Sequence, residues 1–333
     1  MSQLEVLSYT PEIHESLKRF MISQYPNRSP EYIKWWLNDI RSGDKSMWNK
    51  VHIVRQDREI VGCMTAKESY IFDNGLKQIF FEANTIIEPN HRNRGIGKLL
   101  YQKLGSHSNR CTIGMTKLSY QIQKKKFINT LLDPILVYVI ANIYAPFGII
   151  KKFLHVNNSN KIAIFPKEIK YKSCSFCKIN SFDNFKDTPN DGLWMHEQIE
   201  IPRTTEFLKH RFDDIWRASE YQRYMIEDRC EIVGYAVYRK ARIYGLDIIT
   251  IVDYRCCDPK YETLIFKVAN KLAKINRIGF CICLTSRKYS LLSLLPLRIR
   301  TPKKIMGVAG TDISSGNILF TAADSDLDFV YYE

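Results

Sequence analysis

The stretch Ile86-Ile87-Glu88-Pro89-Asn90-His91-Arg92-Asn93-Arg94-Gly95-Ile96-Gly97-Lys98-Leu99-Leu100 decides how this chain folds. An apolar strand runs into a proline, a polar and glycine-rich turn follows, and an apolar helix begins. The first turn of a helix has backbone N–H groups without intrahelical acceptors, and the positive end of the macrodipole lies there. Such a turn can seat a diphosphate. Gly95 and Gly97 remove side chains where a phosphate must approach the backbone, while Arg92, Arg94 and Lys98 add positive charge.

The spacing is Arg-x-x-Gly-x-Gly. A dinucleotide-binding turn needs Gly-x-Gly-x-x-Gly and a later acidic residue, and a P-loop ends in Gly-Lys-Ser/Thr; this stretch fits neither. It resembles the acyl-CoA pyrophosphate loop of the GNAT superfamily of N-acetyltransferases. In that family the motif follows a strand ending in Val/Ile-x-Pro, and Ile87-Glu88-Pro89 stands in that place here. The resemblance implies an acyl-CoA co-substrate, most simply acetyl-CoA, and no metal. It also implies cofactor contacts from Ile86, Ile87, Arg92, Asn93, Arg94, Gly95, Ile96, Gly97 and Lys98.

The chain has 333 residues, 45% hydrophobic and 25% charged, which is the balance of a soluble globular protein and enough for two domains. Met1 to Leu17 is mixed and carries Glu5, Glu12 and Glu15, unlike a secretory signal. Nine cysteines in such a chain read as reduced thiols, so the expected compartment is the cytoplasm. A net charge of +14 favours an anionic partner (a nucleotide-linked ligand, a membrane surface or a nucleic acid) or serves solubility through a scattered basic surface.

Glu59-Ile60-Val61-Gly62 recurs as Glu231-Ile232-Val233-Gly234. Each copy is preceded by a short apolar strand and charged turn residues, Asp57-Arg58 in one and Asp228-Arg229 in the other, and reads as a β-hairpin. Each continues into a strand, a proline (Pro89, Pro259) and a helical pattern, so two copies of one fold are expected. Counting from the prolines, Arg92, Gly95 and Gly97 correspond to Glu262, Ile265 and Lys267. The second copy therefore lacks the phosphate loop, and its helix should pack through Leu264, Val268 and Leu272.

In the resembled fold the strand from Gln78 to Ile87 splays from its neighbour, and the acyl-pantetheine arm lies in the gap. An amine attacks the thioester directly, which requires a base, an oxyanion donor and a proton source for the thiolate. Glu82, among Phe80, Phe81 and Ala83, is the candidate base, because an apolar setting raises a carboxyl pKa. On a solvated strand face it would be inert, and one residue of register separates the two cases. Asn84, two residues on, is expected on the same face, holding a water or the acceptor. The family often continues with Asn-x-x-Ala-x-x-x-Tyr-x-x-x-Gly-Phe, whose Tyr protonates the thiolate. Here a strand at Cys111 to Thr116 leads to a helix ending near Phe127; Ile122 holds the Tyr position and the Asn and Gly are absent. Tyr120 is the nearest phenol and the substitute candidate, on another helical face.

Residues 131–150 form an apolar run flanked by Lys124-Lys125-Lys126 and Lys151-Lys152. It reads as a helix buried between two lobes or lying on an anionic membrane surface; Asp133, Pro134, Asn142 and Pro146 argue against a clean span. Residues 155–192 read as an irregular or short-stranded connection. Cys174-x-x-Cys177 within it reads as structural thiols, lacking a second pair at zinc spacing.

Leu208-Lys209-His210-Arg211-Phe212 and Asp324-Ser325-Asp326 are similar to a Leu-x-x-Arg-Tyr-like motif and a late Asp-Ser-Asp motif of two-lobed superfamily members from bacterial polysaccharide or modified-sugar pathways. The resemblance implies an acceptor pocket from Arg211, Asp253, Asp324 and Asp326, suited to an amino sugar; a salt bridge from Arg211 to a solvated acidic tail is the other reading.

The expected fold class is α/β (α+β): two lobes, each a mixed, mostly antiparallel twisted sheet flanked by helices. The expected layout is a lobe at 1–130 with the acyl-CoA loop, a connecting segment at 131–190 and a degenerate lobe at 191–333. The expected activity is acyl transfer from acyl-CoA to a small-molecule amine, with no nucleic-acid partner and with membrane-surface contact through the 131–150 run in view. An aminoacyl-tRNA-dependent transferase of the Fem type and a non-catalytic, membrane-associated CoA-binding module are the rivals.

Overall fold

The computed structural model describes residues 4–26, 28–104, 107–127, 129–154, 162–185, 194, 199–289, 297–314, 316–324 and 327–330. The chain forms two compact units, one from Met1–Asp133 and Met306–Gly316, the other from Pro134–Ile305 and Asn317–Glu333. Each is a mixed α/β layer structure with a mostly antiparallel sheet.

The first unit contains β1 (Leu4–Ser8), α1 (His14–Gln24), α2 (Pro30–Ser42), β2 (His52–Gln56), β3 (Glu59–Phe72), β4 (Leu76–Ile87), α3 (Ile96–Leu104), β5 (Arg110–Met115), α4 (Lys117–Lys126) and β6 (Thr130–Leu131). Helix α2 starts where Ser29 accepts a hydrogen bond from the Tyr32 amide and Pro30 opens the first turn. Its Ile33, Trp36, Leu37 and Ile40 recur at helical spacing and are buried. Strands β1 to β4 form an antiparallel meander, β4 pairs with β5 in parallel through α3, and residues 306–309 pair antiparallel with β5.

The second unit contains β7 (Ile135–Ala141), α5 (Ala145–Phe153), β8 (Glu168–Tyr171), β9 (Cys174–Ile179), β10 (Ile199–Glu200), α6 (Thr205–Leu208), β11 (Gln222–Asp228), β12 (Glu231–Ile243), β13 (Leu246–Cys256), α7 (Pro259–Ile275), β14 (Phe280–Thr285), the first part of β15 (Leu297–Ala309), and β16 (Ile318–Leu319). Strands β8, β9, β11, β12 and β13 run antiparallel, β13 pairs with β14 in parallel through α7, and β7 lies beside β14. The order β2-β3-β4-α3-β5 in one unit thus reappears as β11-β12-β13-α7-β14 in the other.

The repeat has a physical basis in both hairpins. The turn residues Asp57 and Arg58 have φ of 50° and 70°, and Arg229 and Cys230 have 53° and 68°, as a two-residue type I′ turn requires. The structural match is one residue off the expected alignment, since Asp228 still belongs to β11. The repeated glycines are set by close approach. A Cβ on Gly62 would lie 2.9 Å from Ile96 Cγ2, and one on Gly234 would lie 2.4 Å from the Arg255 carbonyl oxygen. The copies part after the proline. Pro259 sits in the first turn of α7 with Asp258 as N-cap, whereas Pro89 opens a short 3-10 turn, Pro89–His91, that gives way to an open loop before α3. Leu264, Val268 and Leu272 of α7 are buried in the core of the second unit.

The run at 131–150 is not a single helix. Ile135–Ala141 is a strand between β14 and β15, rich in the β-branched and aromatic residues that suit a pleated, buried surface; helix begins only at Ala145. The segment expected to connect the lobes also supplies β8 and β9 to the second sheet, where Cys174 is buried. Among the described residues no helix is long and apolar enough to cross a membrane, and no cluster of side chains could hold a metal ion.

Candidate active site

Strands β4 and β5 stay paired only from Phe80–Arg110 to Glu82–Thr112; beyond that β4 runs on to Ile87 and β5 to Met115 unpaired with one another. The cause lies on the other side of β4. The β3–β4 register shifts between Cys63 and Thr65, and Asn84 within the shift has φ of 56°. A bulge bends its strand and raises its twist, which turns β4 away from β5. A gap therefore opens with Glu82 at its closed end and the Arg92–Lys98 loop beyond the free end of β4.

In that loop Asn93 and Gly95 have φ of 63° and 82°. Asn tolerates this left-handed backbone and Gly prefers it, so the chain reverses here without strain. The first helical bond runs from the Leu99 N–H to the Gly95 carbonyl at 3.1 Å, which leaves the amides of Ile96, Gly97 and Lys98 in the acceptor-free first turn. Ile96 is buried and anchors α3 against Val54, Val61 and Met64; Arg92, Asn93, Arg94 and Lys98 are exposed. Ile86 is buried and Ile87 half-buried, with Ile87 Cδ1 only 3.3 Å from where a Cβ on Gly97 would sit. The donor set fits a diphosphate: amides of a helix start, a backbone clear of side chains, and three nearby cations.

Glu82 is 4% exposed. Its Oε2 accepts a hydrogen bond from Thr112 Oγ1 at 2.8 Å and lies 4.0 Å from Arg110 Nη1, while Oε1 has no hydrogen-bond partner among the described residues. Burial pushes the carboxyl up to about 7, against the opposing pull of Arg110 and Thr112. Arg110 is itself buried and donates to Gln123 Oε1 at 2.8 Å. Gln123 and Ser119 stand four residues apart on one face of α4, and Ser119 Oγ lies 2.5 Å from the Tyr101 hydroxyl. Burial raises the Tyr101 phenol, the Ser119 bond opposes this, and the charge on Glu82 adds to the rise. Tyr101 is thus within electrostatic reach of Glu82, a phenol that the sequence reading passed over. Tyr120 is half-buried on the adjoining face of α4. A signal for Tyr101 existed: it follows Gly97 by one helical turn on the helix that the loop opens.

Asn84 departs from the expected strand alternation. Its positive φ takes it out of register with Glu82, and its side chain accepts from Arg28 Nη1 at 2.8 Å and lies 3.5 Å from Thr65 Oγ1.

The residues expected to bind acceptor lie in the second unit and fall into two buried ion-pair clusters. Asp253, fully buried, accepts from Arg203 (2.9 and 3.1 Å), Arg255 (3.3 Å), Tyr235 (2.7 Å) and Thr321 (2.7 Å). Asp324 joins this cluster through Arg203 at 2.6 Å. Arg211 belongs to the other cluster and pairs with Asp328 at 3.3 Å, where Arg239 also pairs and Tyr221 donates. The structure brings Asp253 and Asp324 together but not Arg211 with them, and Asp326 lies outside the described residues. Arg203 is the hub that the sequence reading missed.

Residues 10–123 match the family model described as Acetyltransferase (GNAT) family. The first unit therefore carries a GNAT acetyltransferase domain. No curated protein shows significant sequence similarity to the chain. Solved structures share the fold over nearly all of its length. A GCN5-related N-acetyltransferase from Anabaena variabilis aligns with a TM-score of 0.59 at 13% identity, covering 92% of this chain and 72% of that one. A conserved protein of unknown function from Enterococcus faecalis, a probable N-acyltransferase, aligns with a TM-score of 0.62 at 11% identity, covering 93% and 73%. Saccharomyces cerevisiae N-myristoyltransferase, with bound myristoyl-CoA and inhibitors, aligns with a TM-score of 0.54 at 13% identity, covering 93% and 80%.

Proposed function

We propose that the chain is an acyl-CoA-dependent N-acyltransferase, with acetyl-CoA as the simplest donor and a small-molecule amine, such as an amino sugar, as acceptor. One observation carries this reading: the strand gap that ends at buried Glu82 opens toward a helix start with free amides and three cations. An acyl-CoA would supply the thioester, its diphosphate held by the amides of Ile96, Gly97 and Lys98 and by Arg92 and Arg94.

Glu82 then has the work of a base. An ammonium cannot attack a carbonyl, so the carboxylate takes the proton that frees the amine lone pair. A carboxyl that titrates near 7 is matched to this at neutral pH. As the carbon–nitrogen bond forms and the carbon–sulfur bond breaks, the departing thiolate needs a proton, and in this reading Tyr101 supplies it, with Ser119 holding its hydroxyl. Tyr101→Phe is expected to lower kcat about 100-fold with little change in acyl-CoA affinity, the lower end of what general acid–base catalysis contributes. It should also remove the alkaline limb of the pH–rate profile. Unchanged kcat would return the role to Tyr120 or to water.

The donor assignment is tested by calorimetric titration of acetyl-CoA and myristoyl-CoA into the full chain, beside Gly97→Glu. Gly97→Glu is expected to abolish binding, because its side chain and charge occupy the phosphate seat, while leaving the melting temperature within a few degrees. Retained binding in the variant would sink the loop assignment, and absence of binding by wild type would sink the proposed function.

A further inference from the structure

Helix α5 of the second unit is amphipathic in an unusual sense. Its inner face is made of small residues: Ala145 lies against Gly279, and Gly148 faces the Phe280 ring, 3.9 Å from where its Cβ would be. Its outer face carries Phe147, Ile150, Phe153 and, just past the end, Leu154, which are between 53% and 75% exposed. Two further apolar side chains, Ile143 and Ile164, stand at the same edge of the unit, also well exposed. The hydrogen bonds show why they are neighbours. Asn142 donates from Nδ2 to the Ile278 carbonyl (2.9 Å) and from its amide to the Gly279 carbonyl, while the Ile164 amide donates to Asn276 Oδ1 (2.6 Å). Both segments are pinned to the turn between α7 and β14.

The charges at this edge have one sign. Residues 142–154, 162–166 and 271–280 contain Lys151, Lys152, Lys271, Lys274 and Arg277, all exposed, and no Asp or Glu. The carboxylates nearest along the chain or on adjoining strands are engaged: Glu168 with Lys170, and Asp247 with Lys240 and Arg242. An exposed apolar face of this size mixed with cations is what an anionic lipid surface accepts. The rings and aliphatic chains enter the acyl boundary and the lysines remain among the headgroup phosphates. A second copy of the chain would present the same cations and be repelled. We propose that this edge of the second unit, centred on α5, docks the protein on an anionic phospholipid bilayer.

The test is co-sedimentation of the full chain with vesicles of phosphatidylcholine alone and with vesicles containing phosphatidylglycerol, at low and high salt, beside Phe147→Asp/Ile150→Asp and Lys151→Glu/Lys152→Glu. Wild type is expected to partition at least tenfold more onto the anionic vesicles, to lose most of that at high salt, and to lose at least tenfold in either variant. All altered side chains are exposed, and a thermal melt checks folding; should the aspartate variant unfold, the lysine variant decides alone. Equal binding to neutral and anionic vesicles, full binding by the folded variants, or a solution dimer that the variants dissociate without any vesicle binding would overturn the proposal.

Discussion

Glu82→Gln is expected to lower kcat by about 10²- to 10⁴-fold and to leave acyl-CoA affinity nearly unchanged. Gln keeps the shape of the side chain and can still accept from Thr112, but it has no basic oxygen. In wild type, kcat/KM should rise with pH as Glu82 loses its proton near 7, and the variant should lose that limb. The same group makes a stability prediction of fixed sign. Its folded value of about 7 lies above its ordinary 4.5, so between these the native state holds a proton that the unfolded chain has released. Stability from this group is complete below pH 4.5 and is lost as pH rises through 7, by about 3 kcal/mol in all. Urea midpoints at pH 5 and pH 8 should therefore differ less in Glu82→Gln than in wild type. Undiminished activity in the variant, or an unchanged acid limb, would take Glu82 out of the reaction and leave it a buried carboxyl paired to Arg110 and Thr112.

What could be read from the sequence was local. The proposed anion seat is a run of contiguous residues whose backbone would do the binding, so Arg92-Asn93-Arg94-Gly95-Ile96-Gly97 announces itself, as does the strand before it. Glu82 stood out as a charge in an apolar strand. The bulge at Asn84 did not, because it arises from how β3 and β4 pair. Tyr101 was hidden for a related reason: the family pattern directs attention to α4, while this phenol rises from α3 and is steadied by Ser119 of α4. The 131–150 run was misread because a stretch of apolar residues suits a buried strand as well as a helix. Asp133-Pro134 and Asn142 marked where the strand stops, and Ile135, Val137, Val139 and Ile140 its β-branched character. That residues 306–309 return to pair with β5 is a contact across most of the chain, which no local pattern encodes.

Asp253→Ala is expected to destabilise the second unit by about 3–5 kcal/mol, the cost of leaving buried cations short of a partner. Asp253 is held by two guanidinium groups and two hydroxyls, and nothing at its position touches solvent. Burial pushes its carboxyl up, but Arg203 and Arg255 outweigh this and hold it below its ordinary 3.8, so its contribution is present above that pH and is lost on acidification. Among the described residues, removing the carboxylate leaves Arg203 with Asp324 and Arg255 with Glu200 as their carboxylate partners. Replacing Arg203, Asp253 and Asp324 together by Met, Leu and Leu should restore part of the loss, since a well-packed apolar set carries no desolvation debt and leaves no buried carboxylate stripped of Arg203. Denaturation followed by the aromatic signal of Trp194 and Tyr235, which lie beside this cluster with rings 5.7 Å apart, measures both variants. The experiment also decides between two roles for the same residue. A folded Asp253→Ala with normal stability and a raised KM for the amine would make Asp253 an acceptor ligand, whereas a lowered midpoint with KM unchanged in the folded fraction makes it an internal brace of the second sheet.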